Sequence, residues 1–394
     1  MLAKIKKIVV GCMRYVFEVV FRLIPVKKDM VLFLSFHGRG FSDNPKAIYL
    51  EMLKDERFKD YTFVWALKKG NMRSIEGAKV ISYLTPIYFY YIARSKYWVC
   101  NCKLQTYIVK KKNQVYLQTW HGTPLKRLAH DIIVPEGTTF YRSHLSADAM
   151  RKTYDNDVSK YTYMISPNSF CTEVFQSAFQ IDRPRLIETG YPRNDYISNV
   201  SESEIQAIRN KYNIKKDKKV LLYAPTWRDN QYTATGYTFS LQIDFEKWKE
   251  VLGEQYVVLF KPHYLITNTY EHSEGLKGFV IDVDAKADIS ELYVISDAMV
   301  TDYSSVFFDY AIRNKPMYFY MYDIQEYAQE LRGFYLDIYT ELPGDIFDNE
   351  EDMLQAIKEE RYDEEKLVAF NKRFNNCEDG RATKRVLDIL YKER

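Results

Sequence analysis

The chain has 394 residues, 46% hydrophobic and 28% charged, which excludes a wholly disordered chain and a polytopic membrane protein. At roughly 100–200 residues per domain, two domains are expected. The formal net charge of +3 is unevenly spread: residues 1–28 hold Lys4, Lys6, Lys7, Arg14, Arg22, Lys27 and Lys28 against Glu18, a net of +6 that leaves the remainder at −3. The basic character is therefore an N-terminal feature, and no nucleic acid is expected as a partner. Five scattered cysteines are too few for a disulfide scaffold. Cys100 and Cys102 sit in an apolar run and read as buried reduced thiols, so the cytosol is the natural compartment.

The first element is IKKIVVGCMRYVFEVVFRLI, residues 5–24. Arg14, Glu18 and Arg22 interrupt the apolar run that a signal peptide needs, and no small-residue cleavage site follows. Mid-bilayer charges cost about 2.5–3.5 kcal/mol each on insertion scales, which argues against a spanning helix. At about 100° per residue, Lys7, Arg14, Glu18 and Arg22 fall in one stripe of roughly 80°, with Val, Phe and Ile over the rest. This is the geometry of a helix lying in a membrane interface, with Lys27 and Lys28 added for anionic lipid.

Buried strands follow in two series separated by segments long enough for crossover helices. The first runs through residues 30–36, 61–67, 79–82, 97–102, 115–120 and 161–166; the second through 219–225, 255–262, 278–282, 297–302 and 315–321. The expected architecture is α/β: an N-terminal helix (1–28), then two Rossmann-like doubly wound domains, 29–190 and 191–394. Ligands of such sheets bind outside the carboxyl ends of the strands, and two sheets face to face would make a central cleft.

Polar clusters at those strand ends are the candidate sites. Thr119-Trp120-His121-Gly122-Thr123-Pro124-Leu125-Lys126 follows the strand 115–120. Thr123 before Pro124 reads as an N-cap with proline at the first helical position, which would place His121 beside a helix N-terminus. Thr226-Trp227-Arg228-Asp229 follows the strand 219–225, and Lys261-Pro262-His263 follows the next. Thr301-Asp302-Tyr303-Ser304-Ser305 leads from a strand into a helix, an arrangement of amides and hydroxyls suited to a pyrophosphate. There is no P-loop, no G-x-G-x-x-G after a strand and no zinc spacing. The Asp282/Asp284 pair is a weak metal signal.

Together these segments resemble the CDP-glycerol glycerophosphotransferases of teichoic acid synthesis, the TagB/TagF group, and in size the chain is nearest its TagB-type primases. The resemblance runs from about residue 115 to 390 through TWHGTPLK, SPNSFCTEVFQSAF (166–179), ETGYPRND (188–195), YAPTWRD, FKPH, SDAMVTDYSSVFFDYA, RGFYLD and EDGRATKRV (378–386). SFHGRGFSDNPKAIYLEM (35–52) is similar in kind. The resemblance implies a GT-B fold and transfer of a polyol phosphate, from CDP-glycerol or CDP-ribitol, to a hydroxyl of a lipid-linked saccharide, with release of CMP. It implies His121 and His263 as catalytic, with His121 the general base. Thr226, Arg228, Lys261, His263, Thr301, Asp302, Ser304 and Ser305 would hold the donor, and Gly122, Thr123, Lys126 and Asn168 would face the acceptor. No metal or other cofactor is expected to be required. The expected location is the cytoplasmic face of the cell membrane, as a peripheral protein. A single priming transfer is expected over polymerisation. The alternatives are a polyol-phosphate polymerase and a nucleotide-sugar glycosyltransferase on the same scaffold.

Overall fold

A computed structural model describes residues 2–133, 145–226, 232–233, 236–237, 242–262, 273–284, 287–324 and 333–394. The chain divides into two compact units. The first comprises Met1–His121, Leu128–Asp195 and Cys377–Arg394, and the second Gly122–Arg127 and Tyr196–Asn376.

The first unit is built on β1 (Lys27–Leu34), β2 (Thr62–Leu67), β3 (Ala78–Ser82), β4 (Ser95–Cys100), β5 (Val115–Gln118), β6 (Tyr163–Ser166) and β7 (Leu186–Glu188). They form one sheet in the order β3-β2-β1-β4-β5-β6-β7, every pair parallel. Helices cover both faces, so the strands read as unbroken apolar runs: Met30 to Leu34 and Phe63 to Leu67 are buried throughout. Cys100 and Cys102 are buried as well.

The second unit contains β8 (Lys219–Tyr223), a hairpin β9 (Tyr232–Thr233) with β10 (Gly236–Tyr237), then β11 (Tyr256–Phe260), β12 (Val280–Asp282), β13 (Ala298–Thr301), β14 (Met317–Tyr320) and β15 (Asp345–Phe347). Its main sheet has the order β12-β11-β8-β13-β14-β15 and is also parallel. Both units thus have the same doubly wound order, reversing direction between β1 and β4 in one and between β8 and β13 in the other.

The sequence reading missed β7 and β15. Both are outermost strands of three residues, too short to carry a periodic signal.

The N-terminal helix ends earlier than expected, spanning Leu2–Val19, with a 3₁₀ turn at Phe21–Leu23. Pro25 disfavours helical backbone at Ile24, which is extended (φ −74°, ψ 119°). Among the helix residues whose burial is described, Phe17 is the buried one, 4% exposed; it stacks on Phe21 (ring centroids 4.4 Å apart) and meets Phe89 edge-on at 5.5 Å. Val16, Val19, Val20 and Leu23 stay exposed. A segment boundary at residue 28 falls inside β1, whose first residue Lys27 bonds Thr62 Oγ1 at 2.7 Å. No described helix is long and apolar enough to cross a membrane.

The return of the C-terminus to the first unit joins two of the sequence motifs. The carboxylate of Asp195, in GYPRND, accepts from the amides of Ala382 (2.8 Å) and Thr383 (2.7 Å), and Glu378 accepts from the amide of Tyr191 at 2.9 Å. Gly190 has φ +78°, and a Cβ there would lie 2.6 Å from the Cys377 carbonyl oxygen. Only glycine fits both the backbone angle and the approach.

Candidate active site

In the first unit the carboxyl ends of β1, β4 and β5 gather around His121. Its Nδ1 lies 2.9 Å from the carbonyl oxygen of Asn101. A carbonyl can only accept, so Nδ1 carries the proton and Nε2 is left as a base. Trp120 lies against the ring at 4.4 Å between centroids and Phe36 meets it edge-on at 5.7 Å.

Asn101 is itself held on every side. Its Oδ1 accepts from the Phe36 amide at 2.8 Å, and its Nδ2 donates to Ser35 Oγ at 3.3 Å and to Asp43. Asp43 pairs with Arg193 at 2.6 Å, both side chains largely buried. Asn44 donates to the carbonyls of Thr119 (3.3 Å) and Trp120 (3.2 Å) and accepts from the Arg193 amide at 3.1 Å. Beneath, Gln118 accepts from the Trp120 amide at 3.0 Å and donates to Tyr161, whose hydroxyl donates to buried Asp157 at 2.8 Å.

Phe36, His37, Asp43 and Trp120 all have left-handed backbone, with φ of 44°, 56°, 61° and 51°. Such strain persists only where surrounding contacts over-determine it, and it concentrates at functional sites.

The close surroundings of His121 disfavour its cation and push its pKa below the ordinary value. The charge of Asp43 and the Asn101 bond partly offset this, and Arg193 adds to it. The ring nevertheless keeps an exposed edge. It is a neutral imidazole near pH 7, competent to take a proton. His37, whose amide donates to Cys102 Sγ at 3.1 Å, is pushed to about 4 by burial and by Arg39, Lys68 and Lys103.

The expected helix after Thr123-Pro124 is absent. Residues 122–127 form no helix, and Lys126 is bridged antiparallel to Phe334. The Arg127 amide donates to the Gly333 carbonyl at 3.0 Å, and that of Tyr335 to Leu125 at 2.9 Å. Pairing with 333–335 overrides the local capping signal, so Gly122, Thr123 and Lys126 belong to the second unit. There a Cβ on Gly122 would lie 3.4 Å from Ser305 Oγ. Asn168 is a buried N-cap of the helix Ser169–Phe179, accepting from the Cys171 amide at 2.8 Å.

In the second unit the loops after β8 and β13 are stitched together. Thr301 Oγ1 donates to the Ala224 carbonyl at 2.8 Å, and Asp302 Oδ1 accepts from Thr226 through its amide (2.9 Å) and hydroxyl (2.7 Å). All three residues are buried. Ser304 and Ser305, which follow in the chain, stay partly open at the start of the helix Val306–Ala311, Ser305 making no capping bond. Lys261 follows β11, its amide donating to the Tyr223 carbonyl at 2.9 Å. Burial lowers the pKa of its amine against the opposing charge of Asp284.

Arg228 and His263 lie outside the described residues. Among the described residues no three His, Cys, Asp or Glu side chains gather as a metal site, Asp282 and Asp284 included. A cavity of about 580 Å³, lined by Arg209, Lys216, Arg313 and Lys315 among others, contains none of the candidate residues. The sequence reading missed Asp43, Asn44, Asn101 and Arg193. Ser42-Asp43-Asn44 carries the local signature of a helix start, and GYPRND was noted only as a motif.

Residues 16–392 match the family model described as CDP-Glycerol:Poly(glycerophosphate) glycerophosphotransferase. The chain is 39% identical over 389 residues to a teichoic acid poly(glycerol phosphate) polymerase of Bacillus spizizenii, covering 95% of this chain and 96% of that one. It is 38% identical over 404 residues to a teichoic acid glycerol-phosphate transferase of Staphylococcus aureus, covering 98% and 99%. It spans only about half the length of the curated polymerases of Staphylococcus epidermidis and Bacillus subtilis that it also matches. Bacillus spizizenii relatives named for ribitol phosphate are 27–30% identical. A solved structure of the wall teichoic acid polymerase TagF, soaked with CDPG, superposes with a TM-score of 0.88 at 36% identity, covering 100% of this chain and 96% of that one. This chain, with its two parallel-sheet α/β units, belongs to the CDP-glycerol:poly(glycerophosphate) glycerophosphotransferase family.

Proposed function

We propose that the protein transfers glycerol phosphate from CDP-glycerol to a hydroxyl of a lipid-linked saccharide, in teichoic acid or related cell-surface polymer synthesis. The observation that carries this reading is the tautomer of His121: Nδ1 is committed to the Asn101 carbonyl, and Nε2 is free to accept a proton. The acceptor hydroxyl gives its proton to Nε2 as its oxygen bonds to the phosphorus bearing the glycerol. The bond from that phosphorus to the bridging oxygen breaks, and CMP leaves with the electron pair. Phosphoryl transfer of this kind depends mainly on positioning and on neutralising charge. In this reading His121 is the base, and Lys261, Ser304 and Ser305 are the cationic and hydroxyl groups for the diphosphate. Glycerol is favoured over ribitol by the higher identity to the relatives named for glycerol phosphate.

The exposed apolar residues of the N-terminal segment support work at a membrane surface, and we read the protein as peripheral on the cytoplasmic face. Transfer of one unit is our first reading. Repeated transfer is the second, and one observation favours it: a relative matched over 96% of its own length is named a polymerase, so a compact chain is no bar to polymerisation.

The test is incubation with CDP-glycerol, CDP-ribitol and UDP-sugars on a synthetic lipid-linked disaccharide, read by product mass. Release of CMP with one added glycerol phosphate is expected. A ladder of units identifies a polymerase, and consumption of a UDP-sugar alone overturns the reading.

A further inference from the structure

At the opposite end of the first sheet from His121, the N-terminal helix and the segments leading into β5 and β6 line a cavity of about 300 Å³. Its charged lining consists of Arg14, Lys110, Lys111, Lys112 and Lys160, with no acidic residue. The lysines are held in place largely by neutral groups. Lys110 donates to the Gln114 carbonyl at 2.9 Å, Lys111 to the carbonyls of Ile24 and Ala93, and Lys160 to Asn156 Oδ1 at 2.7 Å. The carboxylate nearest to Lys160, Asp157 at 3.8 Å, already accepts from Leu104, Tyr116 and Tyr161. Burial depresses the pKa of Lys110, Lys111 and Lys160, and Arg14 depresses that of Lys160 further. Arg14 also pairs with exposed Glu18 at 3.0 Å, so five cations stand against these two carboxylates and leave a net positive field for an anion.

One wall of the cavity is Arg14, on the N-terminal helix, where Val16 and Val19 are exposed, as are Val20 and Leu23 just beyond it. On the neighbouring helix Pro86–Arg94, reached through the Phe17–Phe89 contact, Ile87 and Tyr90 are exposed too. An anion pocket with exposed apolar side chains nearby has the complementarity of a lipid headgroup whose tails lie alongside.

We propose that this pocket binds the phosphate group of an anionic phospholipid headgroup and so fixes the N-terminal helix on the bilayer. The proposal rests on the membrane-surface reading above and adds a defined site to it. It predicts a dependence on particular side chains that diffuse surface charge would not give.

The full chain is measured by flotation with vesicles of 30% phosphatidylglycerol in phosphatidylcholine, with pure phosphatidylcholine vesicles, and by calorimetry with inorganic pyrophosphate. The pocket variants are Arg14→Gln with Lys112→Gln, both accessible at the rim, and separately Lys110→Gln. The control is Lys54→Gln with Lys59→Gln, which removes the same charge elsewhere. Circular dichroism and CDP-glycerol binding verify that each variant is folded. A loss of at least tenfold in phosphatidylglycerol-vesicle binding for the pocket variants, and under twofold for the control, is expected. Pyrophosphate binding that the pocket variants lose, without preference for anionic vesicles, keeps the phosphate site but rejects the lipid as its source. Equal losses in pocket and control variants, or none in the pocket variants, overturn the proposal. CDP-glycerol turnover on the same samples separates the two readings. Pocket-dependent binding without turnover rejects the transfer function alone, and turnover with pocket-independent binding rejects the pocket alone.

Discussion

The two units share one strand order but use the ends of their strands differently. In the first, the residues after β1, β4 and β5 are spent on one another: Asn101, Asp43, Asn44 and Arg193 close a network whose product is one histidine with a fixed tautomer. In the second, among the described residues, Thr301 and Asp302 are bonded to Ala224 and Thr226, while Ser304 and Ser305 next in the chain stay partly open. The proposed base needs one geometry before the reaction, whereas the proposed anion site needs donors still unspent when the ligand arrives. The same topology serves both because the fold fixes only where strand ends lie, and the side chains there set the chemistry.

The sharpest test of this contrast is His121→Ala. Turnover should fall by 10²–10⁴-fold, the usual worth of a general base, with CDP-glycerol binding nearly unchanged. More than about a tenth of wild-type turnover would remove His121 from that role. Asp43→Asn keeps a residue that tolerates left-handed backbone but strands the Arg193 charge. Breaking such a buried pair should cost about 3 kcal/mol in chemical denaturation. Because Asp43 raises the His121 pKa, the acid limb of the rate profile should also move to lower pH. An unshifted limb would make Asp43 purely structural.

On the second unit, Ser304→Ala with Ser305→Ala should weaken CDP-glycerol at least tenfold, since hydrogen bonds to charged groups contribute about 1.5–3 kcal/mol. Cytidine binding should hardly change, and equal losses for both ligands would move the serines away from the phosphates. Gly190→Ala should destabilise the first unit by more than about 1 kcal/mol, through φ and through Cys377. A neutral result would mean that the C-terminal return is easily displaced.

The smallest effect concerns acid. His37 has a folded pKa of about 4 against an ordinary 6.5, so folding prefers its neutral form. That contribution is fully present above pH 6.5 and is lost as pH falls from there towards about 4. His37→Gln should flatten this part of the stability–pH curve, and an unchanged slope would show that other groups set it.

The amino-acid sequence by itself determined the two parallel sheets and the place of His121, Lys261, Ser304 and Ser305 at strand ends. Long buried strands announce themselves as apolar runs, and the polar residues that end them are legible for the same reason. What it could not disclose was pairing between segments far apart. Thr123-Pro124 carries every local mark of a helix start, yet the backbone at 125–127 finds partners at 333–335 and forms no helix. Asn101 and Arg193 look unremarkable where they stand, and they matter only because folding brings them to residues 58 and 150 positions away at Asp43. The return of 377–394 to the first unit is of the same kind. Local signals report what a residue prefers among its neighbours, while the tertiary structure decided which distant groups would satisfy its hydrogen bonds and charges, and so fixed the tautomer of an ordinary histidine.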